Sequence, residues 1–176
     1  MRDKLRALFP ELEWIQDRSL QDKVLAVWEE AVREGGWEVQ ELENIPFTLL
    51  IPGTQVSLVA HTRAVTQIAR AGAQVLRQAL GFSGLDMDHL IAGALLHDVG
   101  KLLEFHRGQT GVERSPQGRL LRHPFSGAGL ATKHGLPEQV VHIIATHAKE
   151  GDGGYRSPEA VLVHHADFMC FDSLKA

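Results

Sequence analysis

Six side chains spread along the 176 residues have the types that hold divalent metal ions: His61, His97, Asp98, His123, His147 and Asp167. They stand out in a chain with 10 histidines, a high number for its length. Neutral imidazole and carboxylate are natural ligands for Fe, Mn, Co, Ni and Zn. Six donors exceed the need of a single four-coordinate ion, so the set predicts two divalent transition metals. Each member taken alone also has an ordinary structural reading. His61 on an apolar helix face fits a hydrogen-bonded core residue, His123 before Pro124 fits a cap, and His147 fits a favourable charge at a helix C-terminus. Asp167 is harder to explain that way, because its neighbours Val163, Ala166 and Met169 are apolar and an unpaired buried carboxylate is costly. The combination is far more specific than its parts.

Helical spacing sorts the remaining histidines. His89 lies about 12 Å along a helix from His97 and cannot share its ion. His142 is about 140° around the helix from His147, and His165 about 160° from Asp167, so both point away from the set. His164, three residues before Asp167, shares its side and is expected to touch a ligand or the substrate. His106 and His134 are expected at the surface. Adjacent residues on a continuous helix diverge by about 100°, which would separate His97 from Asp98. Gly100 ends the helix there, and a carboxylate at that point could reach between two ions while His97 binds one.

The elements that must position this set read as helices, and the fold class is all-α. Residues 5–15 form a short acidic helix, and Leu20–Glu34 a second with Val24, Leu25, Val27, Trp28, Ala31 and Val32 at helical spacing. Residues 45–53 are a linker. A long helix at 54–80 carries His61 on its apolar face and stops at Gly81. The next spans 86–98. Residues 104–122 are a loop bearing Gly and Arg. Pro124 opens a helix closed by Gly135, and Pro137 opens another that ends near His147. Ser157-Pro158-Glu159 is an N-cap with proline in the first turn, leading into a last helix through Phe168. The organisation is an N-terminal helical appendage, residues 1–45, packed on a compact helical domain, residues 46–176.

Composition narrows the function. The chain is 44% hydrophobic, enough for a core without disulfides. Its one cysteine, Cys170, excludes an internal disulfide and predicts a reducing compartment, by default the cytoplasm. No signal segment or membrane-spanning run is visible. Residues 1–45 hold 11 acidic against 6 basic side chains, and no basic stripe follows. Extended duplex nucleic acid is therefore not an expected partner. One phosphate group needs only a few cations.

The motifs then resemble a known family. Ala94-Leu95-Leu96-His97-Asp98-Val99-Gly100-Lys101 resembles the HD signature with its HD-x-G-K extension. His61-Thr62-Arg63-Ala64-Val65 resembles the family's first-histidine helix, and His123-Pro124 with Gly127 and Ala128 the HP-x-x-G segment of the HDIG and HD-GYP subgroups. Ile144-Ala145-Thr146-His147 resembles their next histidine segment. Ser157 to Val163 followed by Ala166-Asp167 is similar to the closing helix of the ribonuclease Y catalytic domain. The resemblance covers about residues 55–170, with the motifs in order. Two features depart from it. His147-Ala148 stands where the subgroups commonly carry a histidine pair, and the Gly-Tyr-Pro triplet is absent, which weighs against a cyclic-dinucleotide assignment.

The resemblance implies an HD-domain helical bundle and metal-dependent phosphoester hydrolysis. Its ligands would be His61, His97, Asp98, His123, His147 and Asp167. Asp98 would bridge two ions and guide the attacking water, and Lys101 would neutralise charge on the transferred phosphoryl group. Among the loop cations Arg107, Arg114, Arg119 and Arg122, each of which also fits a solvated loop charge, Arg122 is the favoured phosphate contact, with His164 a second substrate contact. The implied partner is a small phosphorylated molecule such as a nucleotide, and a homo-oligomer is compatible. Two other readings stand beside this one. The same ligand shell serves di-iron oxygenases resembling myo-inositol oxygenase, and an HD module can sense a nucleotide without turnover.

Overall fold

A computed structural model describes all residues, 1–176, as a helical bundle with one minute sheet. The helices are α1 (Arg2–Leu8), α2 (Arg18–Glu34), α3 (Leu58–Leu80), α4 (Met87–Leu96), α5 (Lys101–Glu104), α6 (Pro116–Leu120), α7 (His123–Lys133), α8 (Glu138–Thr146) and α9 (Pro158–Lys175). Strands β1 (Phe105–Arg107) and β2 (Val112–Arg114) pair antiparallel, with Phe105 opposite Arg114.

The helix starts follow from local chemistry. Asp17 accepts from the Ser19 and Leu20 amides at 2.8 and 3.3 Å, Ser57 from Ala60 at 3.1 Å, and Asp86 from His89 at 2.9 Å. Ser157 accepts from Ala160 at 3.2 Å with Pro158 in the first turn, as the sequence predicts. Gly81 ends α3 at φ 64°, a left-handed conformation that glycine adopts without a Cβ penalty.

Helix α4 is the centre of the fold. Every residue from Leu90 to Leu96 is buried, because α2, α3, α8 and α9 all pack on it. The larger core joins Leu5, Phe9, Leu12 and Trp28 from the N-terminal segment to Leu95, Val99 and Leu102 around the HD motif. The Asp88 carboxylate also binds the Gln16 and Asp17 amides at 2.9 and 2.8 Å. The N-terminal helices therefore share the core that supports α4.

Four elements differ from the sequence expectation, one being the last helix, which runs past Phe168 to Lys175. The helix expected over 5–15 breaks after Leu8, and Pro10, which has no amide hydrogen, restarts the chain as a 3-10 turn over Pro10–Trp14. The long helix begins at Leu58, because Ser57 is its cap and Phe47 pairs back to Val56 (3.1 Å) ahead of it. The 104–122 loop holds the β1–β2 hairpin and α6, whose three-residue strands are too short to show an alternation.

Glu30 ties α2 to α7. It is 4% exposed, and Lys133 Nζ and His134 Nε2 both bind its carboxylate. The Lys133 ammonium outweighs the opposing effect of burial and, with the other partners, holds the Glu30 carboxyl down at about 2. A depressed carboxyl pKa contributes stability that is full above the unfolded value and is lost as pH falls through the folded value. Glu30→Gln should therefore cost about 1 kcal/mol at pH 6, since Lys133 is largely exposed and screened. In urea melts the gap to wild type should narrow by pH 3. A gap that stays constant between pH 6 and pH 3 would contradict this assignment.

Candidate metal centre

Three helices and two helix ends bring the six sequence-selected residues to one point. His61 lies in the second turn of α3 and Asp167 in the middle of α9. His97 is the residue at which α4 ends, Asp98 follows it, His123 opens α7 and His147 closes α8. His61, His97, Asp98 and His147 are at most 1% exposed, and His123 is 5% exposed. Gly100 lets the α4–α5 junction lie against the start of α7. A Cβ there would stand 2.2 Å from the His123 carbonyl oxygen and 2.7 Å from the Gly127 nitrogen.

The donor atoms form two groups sharing one carboxylate. Asp98 Oδ2 is 3.3 Å from both His61 Nε2 and His97 Nε2, which are themselves 3.3 Å apart. Asp167 Oδ1 is 3.1 Å from His61 Nε2. The other oxygen, Asp98 Oδ1, is 3.3 Å from His123 Nε2 and 3.7 Å from His147 Nε2, and those two nitrogens are 3.3 Å apart. His61, His97 and Asp98 form one potential ligand set, and Asp98, His123 and His147 form another.

Hydrogen bonding around the rim fixes what the inner atoms can do. His97 Nδ1 lies 2.7 Å from the Ala94 carbonyl and His147 Nδ1 2.8 Å from the Ile144 carbonyl. A carbonyl only accepts, so each Nδ1 carries the proton and each Nε2 presents a lone pair. His123 Nδ1 donates in the same way to Glu104 Oε2 at 2.7 Å. Three imidazole lone pairs thus converge on a carboxylate, and Asp98 Oδ1 is buried without a hydrogen-bond partner. Facing acceptors repel unless a cation lies between them. The residues fit a divalent metal.

Charge states agree. Burial, against the pull of Glu104, pushes His123 down to about 4, so its ring is a neutral ligand at pH 7. Burial also opposes charge on His61, but Asp167 and Asp98 outweigh it and raise the ring to about 10. For Asp98, burial is overcome by Lys101 and His97, which hold the carboxyl well below its usual range. Burial likewise opposes the Asp167 charge, and His61 overcomes it and holds that carboxyl at about 2. The His61, Asp98 and Asp167 side of the cluster thus favours positive charge, while His123 stays neutral.

A cavity of about 500 Å³ opens beside the centre, lined by Lys101, Arg114, Arg122, His123 and Asp167 together with Phe47 and Phe171. Lys101 Nζ donates to Asp98 Oδ2 at 2.6 Å and to the Phe47 carbonyl at 2.5 Å. Arg122 lines the cavity, its Nε 3.3 Å from Glu104 Oε1 and 3.6 Å from Glu150 Oε1. His164 is not part of that wall, and its Nδ1 bonds the His147 carbonyl at 2.6 Å. Arg107 and Arg119 lie elsewhere, Arg107 bound to Glu41 and stacked over Trp37. His142 accepts from the Ser157 amide, and His89, His106 and His165 take no part in either donor group. His134 binds Glu30.

Sequence reasoning missed Glu104. It is 2% exposed, accepts from both the amide and Nδ1 of His123 at 2.7 Å, and orients that ring. Its position one turn past the HD-x-G-K run was the available signal. The Phe47 carbonyl left no signal, because main-chain acceptors carry no residue type.

The HD domain model matches residues 58–169, and the chain belongs to the HD domain family. It is 35% identical over 113 residues to the dihydroneopterin 2',3'-cyclic phosphate phosphodiesterase of Methanocaldococcus jannaschii, covering 62% of this chain and 44% of that protein. It is also 32% identical over 113 residues to ribonuclease Y of Pseudothermotoga lettingae, 64% of this chain and 18% of that one. Against ribonuclease Y of Acidothermus cellulolyticus, identity is 43% over 75 residues, 43% of this chain and 12% of that one. The matched region spans less than half the length of each relative. No solved structure matches the chain with significance. No helix is long and apolar enough to cross a membrane.

Proposed function

We infer that this chain is a metal-dependent phosphohydrolase that cleaves a small phosphoester, a nucleotide or related monoester or diester, by attack of water. The observation that carries this reading is the shared carboxylate. Asp98 directs one oxygen to each of two groups of imidazole nitrogens, beside a cavity whose wall holds five basic side chains against three acidic ones.

In this reading His61, His97 and Asp167 would hold one divalent ion and His123 and His147 a second, with Asp98 available to both. Bound there, such ions lower the pKa of water toward neutrality and polarise the phosphoryl oxygens. The protein's own groups do the rest. Lys101 holds Asp98 in its bridging orientation and directs positive charge at the cavity. Arg122 offers a guanidinium to the phosphate, and Glu104 keeps His123 in the tautomer that ligates. His164 acts from behind His147 rather than on the substrate. A cavity near 500 Å³ suits a molecule of nucleotide size. The similarity to a protein named as a cyclic phosphate phosphodiesterase supports a phosphoester substrate. Residues 46–176 carry the whole centre, and residues 1–45 are the extension packed on it.

The test is an assay under strict exclusion of oxygen. Chelator-stripped protein reloaded with Mn is given a model phosphodiester and a panel of nucleotide monophosphates. Hydrolysis should appear on reloading, since water attack needs no redox change. Failure with every metal, together with oxygen consumption by aerobic iron-loaded protein given a polyol, would favour the oxygenase reading.

A further inference from the structure

The segment after α8 braces His147. Helix α8 ends at Thr146, and the last carbonyls of a helix have no amide partner within it. Three consecutive carbonyls at this end are bound by side chains from farther along the chain. Arg156 Nε donates to the Thr146 oxygen at 2.8 Å and Arg156 Nη2 to the Ala148 oxygen at 3.0 Å. His164 Nδ1 takes the His147 oxygen between them at 2.6 Å. From outside, Asp152 binds the same Arg156 Nη2 at 2.8 Å. The turn Lys149–Gly151 closes on this point so tightly that a Cβ on Gly151 would stand 2.3 Å from the Thr146 oxygen. The far end of the segment is tied too, since His142 Nε2 accepts from the Ser157 amide at 3.1 Å and stacks on Tyr155.

The two donor groups differ in how they depend on this brace. His61 and Asp167 lie within α3 and α9, and His97 follows the buried run Leu90–Leu96 of α4. His147 lies at a helix end, where backbone frays unless its carbonyls are held. Its Nε2 meets His123 at 3.3 Å only while residues 146–148 keep their present course.

Resting on the two-ion reading above, we propose that Arg156 is a positioning residue for the His123–His147 half of the centre, acting through the main chain on either side of His147. Groups that hydrogen-bond a ligating side chain typically control metal affinity by tenfold to a hundredfold, and a brace on the main chain either side of the ligand is expected to act on that scale.

Cobalt titration of chelator-stripped protein, followed by absorption and calorimetry, separates the two halves. Wild type should show two binding phases, and His123→Ala should abolish one of them. Arg156→Met should weaken that same phase by roughly tenfold to a hundredfold and leave the other unchanged. Arg156→Lys, which keeps the charge but loses the planar fork that spans both carbonyls, should fall between. Metal-free Arg156→Met should melt close to wild type. Should it fail to fold, His164→Ala removes the bond to the His147 carbonyl from a half-buried side chain and is expected to weaken the same phase. Equal weakening of both phases, or of neither, overturns the positioning role while leaving the two-ion reading intact. A single phase in wild type overturns the two-ion reading itself.

Discussion

Asp98→Asn should reduce phosphoester turnover by on the order of a thousandfold, the upper end of what losing one electrostatic group costs a reaction. Asp98 is 1% exposed and is the only residue within reach of both donor groups, at 3.3 Å from His61, His97 and His123. Asparagine keeps the shape and one acceptor oxygen but removes the charge that both proposed ions share. It also keeps an acceptor for the buried Lys101 ammonium, which alanine would leave beside the Phe47 carbonyl alone. The loss should therefore fall on chemistry and not on folding. Metal-free variant and wild type should melt within about 5 °C of each other, and metal content should drop. A folded Asp98→Asn variant with near-wild-type turnover would remove the HD pair from the reaction.

Lys101→Met should lower kcat by on the order of a hundredfold, about 2.7 kcal/mol of transition-state stabilisation. An ammonium has three donors, and Lys101 gives two of them to Asp98 and the Phe47 carbonyl. It also lies in the cavity wall, where its charge faces any phosphoryl group brought to the centre. Methionine fills the same space without charge. The diagnostic is a fall in kcat at saturating metal with metal content unchanged. A variant whose lost activity is fully restored by excess metal would make Lys101 only a support for Asp98.

Much of this centre can be read from residue order. Asp167 declares itself as a carboxylate among Val163, Ala166 and Met169, and His97-Asp98 as a pair placed where Gly100 stops a helix. Angular spacing also separates His147 from His142, which instead binds the Ser157 amide. What escapes the sequence is contact made by chain return. Glu104 is 19 residues from His123, and only the α5–hairpin–α6 excursion brings them together. The arginines of that excursion differ in the sequence only by how near each stands to His123. Yet Arg107 is spent on Glu41 while Arg114 and Arg122 both approach Glu104 at the cavity. The N-terminal segment illustrates the same limit. Its amphipathic pattern is plain, but that Leu12 and Trp28 share a core with the HD helix depends on packing no local pattern encodes.

Metal content tests the account most directly. Protein purified without chelator, reloaded and desalted, should hold more than one and approach two equivalents of transition metal by elemental analysis. His123→Ala should lower that figure by about one, because one ion needs three or four donors and this half would retain only Asp98 and His147. Saturation of wild type at one equivalent, with His123→Ala unchanged, would contradict the two-ion centre and make His123 a structural residue held by Glu104.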